Sequence, residues 1–339
     1  MWIARPSTKA RTTPRSQQGK TIMVASLWGS TLDTRSAAPR RSLLRSNRDI
    51  RSLFWSLGLF PIPLIVAYFS PWAALALLPC ALYLGFCAGV LTHYHNHQGV
   101  FRSGTLNQLY SLWLSVFYGF PVFAWIPTHN QNHHRYTNGP LDATSTFRRG
   151  KEDSLYEALT YPTRSSAWQL PAVRAYLAQI RRTRPSEYRW YIAQIVTLIV
   201  AHVLLFSFFV DRHGAPLGAL AYAASLGIPA LFASWSMMFI NYLQHVGCDP
   251  ESPDHHSRNF VGRFENWLVF DAGLHTVHHE EPGLHWSRLR ELHEARAASI
   301  HPILLQRNVF TFLWSRYFRG SSEHILVSRL APSQSEEAA

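Results

Sequence analysis

The 339-residue chain holds only three cysteines, Cys80, Cys87 and Cys248, and none forms a CxxC pair. That excludes a zinc ribbon, a thioredoxin-like redox site and a four-cysteine iron–sulfur cluster, and leaves ordinary reduced thiols. Acidic residues are also scarce, 20 against 32 lysines and arginines, for a formal net charge of +12. Such an excess would suit nucleic acid if it formed one basic stripe. Here the arginines crowd the ends of apolar runs, a pattern that orients a chain in a membrane, so no nucleic-acid partner is expected. No compact charged, apolar and small-residue sequence appears early, so a cleaved signal is poorly supported, and Met23 offers an alternative start.

Apolar residues are abundant, 47% of the chain with 14% aromatic, yet the mean hydropathy is only −0.07. They must therefore be segregated from strongly polar stretches, which points to one membrane-embedded unit with large extramembrane parts. Residues 1 to 50 are rich in Ser, Thr, Arg and Pro, and read as a disordered basic segment. Two apolar runs follow, residues 53 to 69 and 73 to 92, each near the roughly 20 residues that cross a bilayer core. The short "SPW" between them makes a hairpin, which returns His93 to the side of Arg51.

A third run, residues 106 to 126, is aromatic and broken by Gly119 and Pro121, and reads as interfacial or re-entrant. A second hairpin spans residues 190 to 210 and 217 to 243 around "DRHGAP". The intervening polar block carries Arg135, Arg148, Arg149, Lys151, Arg164, Arg174, Arg181, Arg182, Arg184 and Arg189, and is cytoplasmic by the positive-inside rule. The expected fold is an all-α integral membrane protein: two transmembrane hairpins, so about four spanning helices, an interfacial or re-entrant helix, and a cytoplasmic helical cap built from residues 93 to 189 and 244 to 310. The membrane unit covers residues 51 to 310, residues 311 to 339 form a tail, and both termini lie in the cytoplasm.

With that topology every histidine cluster falls on one membrane face. In "HYHNHQ", His93 and His97 are four apart and share a helix face, while His95 points elsewhere. In "THNQNHHRYTN", His129 and His133 repeat the spacing of four, and His134 adds a donor rotated by about 100°. Asn130, Asn132 and Asn138 could orient these rings from behind. In "HTVHHEEPGLHW", His275, His278 and His279 lie at spacings of three and four. Asn241 and His245, at the end of the last apolar run, form a further pair one helical turn apart. A single histidine pair reads best as surface or core polarity; three clusters on one face read as metal ligation. Seven or eight imidazoles exceed what one zinc takes, so two metals are implied, and imidazole alone does not choose among iron, copper, zinc and nickel. His202 reads as an interhelical hydrogen-bonding group, and His255, His256, His285 and His293 as loop or supporting residues outside the metal set.

The trio "HYHNH", "HNQNHH" and "HTVHH", in this order and with hairpins before the first and between the second and third, resembles the histidine boxes of the membrane fatty-acid desaturase superfamily. "HNQNHHRYTN" and Pro282 after the third box are similar to bacterial acyl desaturases. The resemblance covers about residues 50 to 300. It implies a non-haem centre of two iron ions that activates O2 to remove hydrogen from an unactivated methylene of a fatty acyl chain in the bilayer. It also implies His93, His97, His129, His133, His134, His245, His275, His278 and His279 as ligands, with Asn241 acting through water. Arg148, Arg149 and Lys151 are candidates to meet a phosphate or carboxylate head group, but read first as topology signals. No fused electron donor is seen, since "HPIL" at His301 lacks the haem-binding HPGG, so a separate ferredoxin or similar carrier is expected at the inner membrane. Three readings compete: a lipid or alkane hydroxylase or a carotenoid oxygenase on the same fold, a histidine-rich metal transporter, and a soluble zinc protein.

Overall fold

The computed structural model describes residues 42–149 and 153–319. The expected disorder over residues 1–41 and 320–339 lies outside the described residues. Residues 42–48, expected to be loose, are tied down: the Arg45 amide donates to the Val100 carbonyl at 3.0 Å, and the Arg102 amide to the Leu43 carbonyl at 3.0 Å.

The first helix, α1 (Asp49–Phe69), contains a wide π turn at Phe54–Leu59 and resumes after Pro61. Its start is anchored far along the sequence. The Arg51 guanidinium lies 4.6–5.4 Å from the rings of Trp55, Trp267, Phe270 and Trp286, and His285 meets the Asp49 carboxylate at 3.2 Å. Each ring contact of this kind contributes on the order of 0.5–2 kcal/mol. The clamp fixes the start of α1 against the segments on both sides of the third histidine motif.

Ser70 caps α2 (Pro71–Ala76) by accepting from the Ala73 amide, and Leu77 separates α2 from α3 (Leu78–His97). The second expected span, residues 73 to 92, is thus two helices. Residues Gly89 to Asn96 of α3 are buried against protein, so its last turns carry their histidines into the core instead of along lipid.

Ser103 caps α4 (Gly104–Tyr118). Gly119 ends that helix at φ +72°, and a Cβ there would lie 2.7 Å from the Ala230 carbonyl oxygen, so the site demands glycine. Pro121 follows, and the chain turns by 93° into α5 (Val122–Tyr136). The break expected from Gly119 and Pro121 is therefore a sharp elbow, the geometry of a re-entrant segment or a broken span.

Ser154 caps the long α6 (Leu155–Thr183). The second hairpin is α7 (Pro185–His213) and α8 (Ala215–His245), joined by Gly214 alone at φ +77°. Among the described residues α1, α7 and α8 are long and apolar enough to cross a membrane, and the bent pair α4–α5 makes up to four. The expected all-α membrane architecture is the one observed. α3 and α8 cross closely because Gly85 and Gly89 present no side chain. A Cβ on Gly85 would meet the Pro229 carbonyl oxygen at 2.5 Å, and one on Gly89 would collide with Met237. Small residues four apart let two membrane helices approach in this way.

After α8, strand β1 (Asn259–Phe260) pairs in parallel with β2 (Leu305–Gln306). Short helices α9 (Arg263–Leu268), α10 (His275–Glu280), α11 (Leu289–Arg296) and α12 (Val309–Leu313) surround this pair. Asn259 holds α10 in place by accepting from the Thr276 amide at 3.0 Å and donating to its hydroxyl at 2.8 Å. The start of the expected tail packs on the body: Phe312 lies on Phe260, and Arg316 and Tyr317 both reach the Asp153 carboxylate at 2.7 Å.

Candidate metal centre

All nine histidines proposed as ligands converge, and they sort into two groups. His93, His97, His129, His134 and His278 form the first; His133, His245, His275 and His279 form the second. Within each, one ring nitrogen per residue lies within 4.8 Å of all the others.

Local helix type decides the sorting. His93 and His97 are four apart on the α-helical α3 and stay together. In α10, also α-helical, His275 and His279 stay together with Nε2 atoms 3.1 Å apart, while His278 turns into the first group. Residues Ile126–His133 of α5 are instead π-helical, with hydrogen bonds from i to i+5. This wider turn aligns His129 with His134, whose Nε2 atoms are 3.0 Å apart, and sends His133 to the second group. The spacing of four between His129 and His133 therefore does not mark a shared site, contrary to the expectation from an α-helix.

The ring nitrogens are too close to be satisfied by each other. In the first group His134 Nε2 lies 3.0–3.2 Å from the Nε2 atoms of His97, His129 and His278, and His93 Nε2 lies 2.8–2.9 Å from those of His129 and His278. A neutral imidazole has one N–H, so converging lone pairs repel unless a cation sits among them. In the second group His245 donates its Nδ1–H to the His256 carbonyl at 3.0 Å, which leaves its Nε2 lone pair facing His275 Nε2 at 2.9 Å. His133 Nε2 is buried with no hydrogen-bond partner. These donors fit two metal ions and suit neither solvent nor one another.

Burial pushes His275, His278 and His279 well below the ordinary imidazole pKa, and neighbouring imidazoles add to the effect, so all three are neutral and able to ligate.

Asp142, which the sequence reading missed, orients His133 of the second group. His133 Nδ1–H donates to the Asp142 carboxylate at 2.7 Å, and the same carboxylate accepts from the Asn138 amide and from the amide and hydroxyl of Thr144, each at 2.7 Å. Burial raises this carboxyl's pKa, but His133 and the bonds from Thr144 outweigh it and hold it below its usual range. The arrangement fixes the His133 tautomer with Nε2 toward the metal position. Only the position of Asp142, just after the "TNGP" turn that follows the second motif, hinted at this.

Asn241 donates to the Tyr161 hydroxyl at 3.0 Å and, like His275, lines a cavity of about 300 Å³, but belongs to neither histidine group. His95 contacts the Ser111 hydroxyl and the Asn107 carbonyl, outside both groups, as its offset from His93 and His97 predicts. His202 bonds the Tyr222 hydroxyl at 2.8 Å and the Val116 carbonyl at 2.9 Å, an interhelical role as expected. His256 serves through its carbonyl, and His285 pairs with Asp49. Arg148 stacks over Trp168, the side chain of Arg149 is not described, and Lys151 lies outside the described residues.

A family model for fatty acid desaturases matches residues 33–310. The chain belongs to the fatty acid desaturase family. It is also similar to the xylene/toluene monooxygenase hydroxylase component XylM of Pseudomonas putida, 27% identical over 220 residues. That match covers 64% of this chain and 56% of the relative, so the chain spans little more than half the length of the curated relative it matches. No solved structure matches it. For this desaturase-family chain, membership and the paired histidine groups support a membrane oxidoreductase of the di-iron desaturase or monooxygenase type.

Proposed function

We propose that the protein is an O2-dependent fatty acyl desaturase of the inner membrane. Its two irons would be held by His93, His97, His129, His134 and His278 on one side, and by His133, His245, His275 and His279 on the other, with Asn241 acting through water. The observation that carries this reading is the cavity, which reaches His93 and His129 of the first group together with His275 and Asn241 beside the second. Most of its wall is apolar, including Phe86, Tyr118, Trp125 and Met237. When bound, the iron pair supplies O2 activation and removal of hydrogen from an unactivated C–H bond.

The chain's own groups do the rest. Trp125, stacked 5.2 Å from His93, and Tyr118 form a wall against which a methylene can be held beside the ligands. The apolar lining keeps bulk water from the reaction, and positional control matters because a misplacement of about 1 Å can cost a hundredfold in rate. Overall, two substrate hydrogens, O2, two electrons and two protons would give one double bond and two waters. The electrons would come from a separate carrier such as a ferredoxin. The arginine-rich segments would place the histidine groups and both termini on the cytoplasmic face.

Similarity to a monooxygenase component favours a second reading, hydroxylation, in which one oxygen atom enters the product and one becomes water. Gas chromatography–mass spectrometry of lipids from cells expressing wild type beside His278→Ala tests both. A new double bond with wild type alone supports desaturation; a gained oxygen moves the assignment to hydroxylation.

A further inference from the structure

The cavity has an inner and an outer end. α3 and α8 cross with Gly85 beside Pro229 and Gly89 beside Met237, so the two helices run in the same direction, both toward the histidines. Along α8 the lining extends from Gln244 back to Ser234, ten residues or about 15 Å at the helical rise. Along α3 it extends from His93 back to Phe86, about 10 Å. The outer end therefore lies well up α8, a membrane-spanning candidate.

The exposed lining residues gather there: Phe120 at the elbow is 43% exposed and Leu170 on α6 is 40% exposed, with Ser166 also open. Leu231, 72% exposed and almost one turn from Ser234 on α8, continues this apolar surface outward. No charged side chain lines the cavity among the described residues. Around the mouth, Arg164 is paired with Glu157, Arg148 stacks over Trp168, and Arg174, one turn beyond Leu170, is exposed outside the lining. A phosphate-bearing carrier needs guanidinium or ammonium partners, and this mouth presents none in its lining.

We infer that the substrate enters sideways from the bilayer, through the opening framed by Phe120, Leu170 and Ser234. Its class is an uncharged apolar chain dissolved in or anchored to the membrane, not a thioester on a soluble carrier. The inference rests on the proposed function only for the chemistry at the inner end; the route itself is a property of the cavity.

Photolabelling tests the route without turnover. The iron-loaded protein in phosphatidylcholine vesicles would be irradiated with a diazirine-bearing long-chain hydrocarbon and the adducts mapped by mass spectrometry. Adducts at Phe120, Leu170 or residues 234 to 241, lost in Ser234→Trp, are expected; adducts confined to outward positions such as Leu204 would overturn the route. The same vesicles would then receive a free hydrocarbon, an intact phospholipid or an acyl-CoA as substrate. Ser234→Trp and, independently, Leu170→Trp are expected to retain iron and lose at least tenfold in kcat/KM for the hydrocarbon or phospholipid, and the arm that turns over identifies which of the two it is. Acyl-CoA turnover at least equal to these, unaffected by either tryptophan, would overturn the assigned class. If wild type turns over no arm, the proposed reaction fails while the labelling pattern still decides the route.

Discussion

The two histidine groups are built differently. The five-membered group is held mainly by ring packing: His134 and His278 leave Nδ1 buried without a hydrogen-bond partner, and their rings meet neighbours edge to face at 4.5–4.8 Å. The four-membered group has fewer imidazoles but firmer outer support, with His133 tied to Asp142 and Thr144 and His245 tied to the His256 carbonyl. The first holds its geometry by donor number and crowding, whereas the second fixes two of its four rings, His133 and His245, by hydrogen bonds, and leaves His279 Nδ1 without a partner. Losing one donor should therefore matter more in the second.

The largest expected effect follows from that. His133→Ala or His275→Ala should reduce turnover to background and lower iron from two to about one per chain. His97→Ala, which leaves four donors in its group, should keep more iron by elemental analysis. Equal losses in all three would break the comparison. Next in size, Asp142→Asn should weaken iron affinity or turnover by roughly 10–100-fold, the usual cost of removing a carboxylate behind a ligating histidine. Thr144→Val should do less, and a chelator titration ranks the two. Gly85→Ala should destabilise the detergent-solubilised protein by about 1–3 kcal/mol, because the added methyl forces apart α3 and α8, which bring ligands to different groups. Thermal unfolding and iron content should fall together. Asn241→Ala should leave iron nearly unchanged and lower kcat by about tenfold, because this side chain would act on the metal only through water. Smallest, His95→Ala should keep full iron and cost about 0.5–1.5 kcal/mol of stability through its lost hydrogen bonds. Iron loss comparable to His133→Ala would show that the first motif is misread.

Much of this site was legible in the sequence because histidine clusters at helix ends are rare and their spacings are local. Each histidine singled out as a ligand does join one of the two groups. Their division between groups was not legible, because it depends on a π turn over Ile126–His133 that no residue pattern announces. Paired histidines also mislead: His133 and His134, and His278 and His279, are adjacent in sequence yet about 100° apart around the helix, so each pair feeds both groups. Asp142 was hidden for another reason. Its link to His133 is made by a chain reversal through Thr137 and Asn138 at positive φ, which brings a loop carboxylate back onto the helix it has just left. The apolar runs gave the spans at α1, α7 and α8, but hydropathy could not distinguish lipid-facing α7 from α3, whose last turns are buried by protein.

The order in which the chain supplies its ligands sets a timetable. The five-membered group draws on α3, α5 and α10, and the four-membered group on α5, α8 and α10, so neither is complete until α10 has docked on β1. A nascent chain paused after its first hairpin, or one whose last hairpin has failed to insert, presents only open fragments of either group. Iron content would therefore report finished topology as well as an intact site, because an incompletely inserted chain could complete neither group.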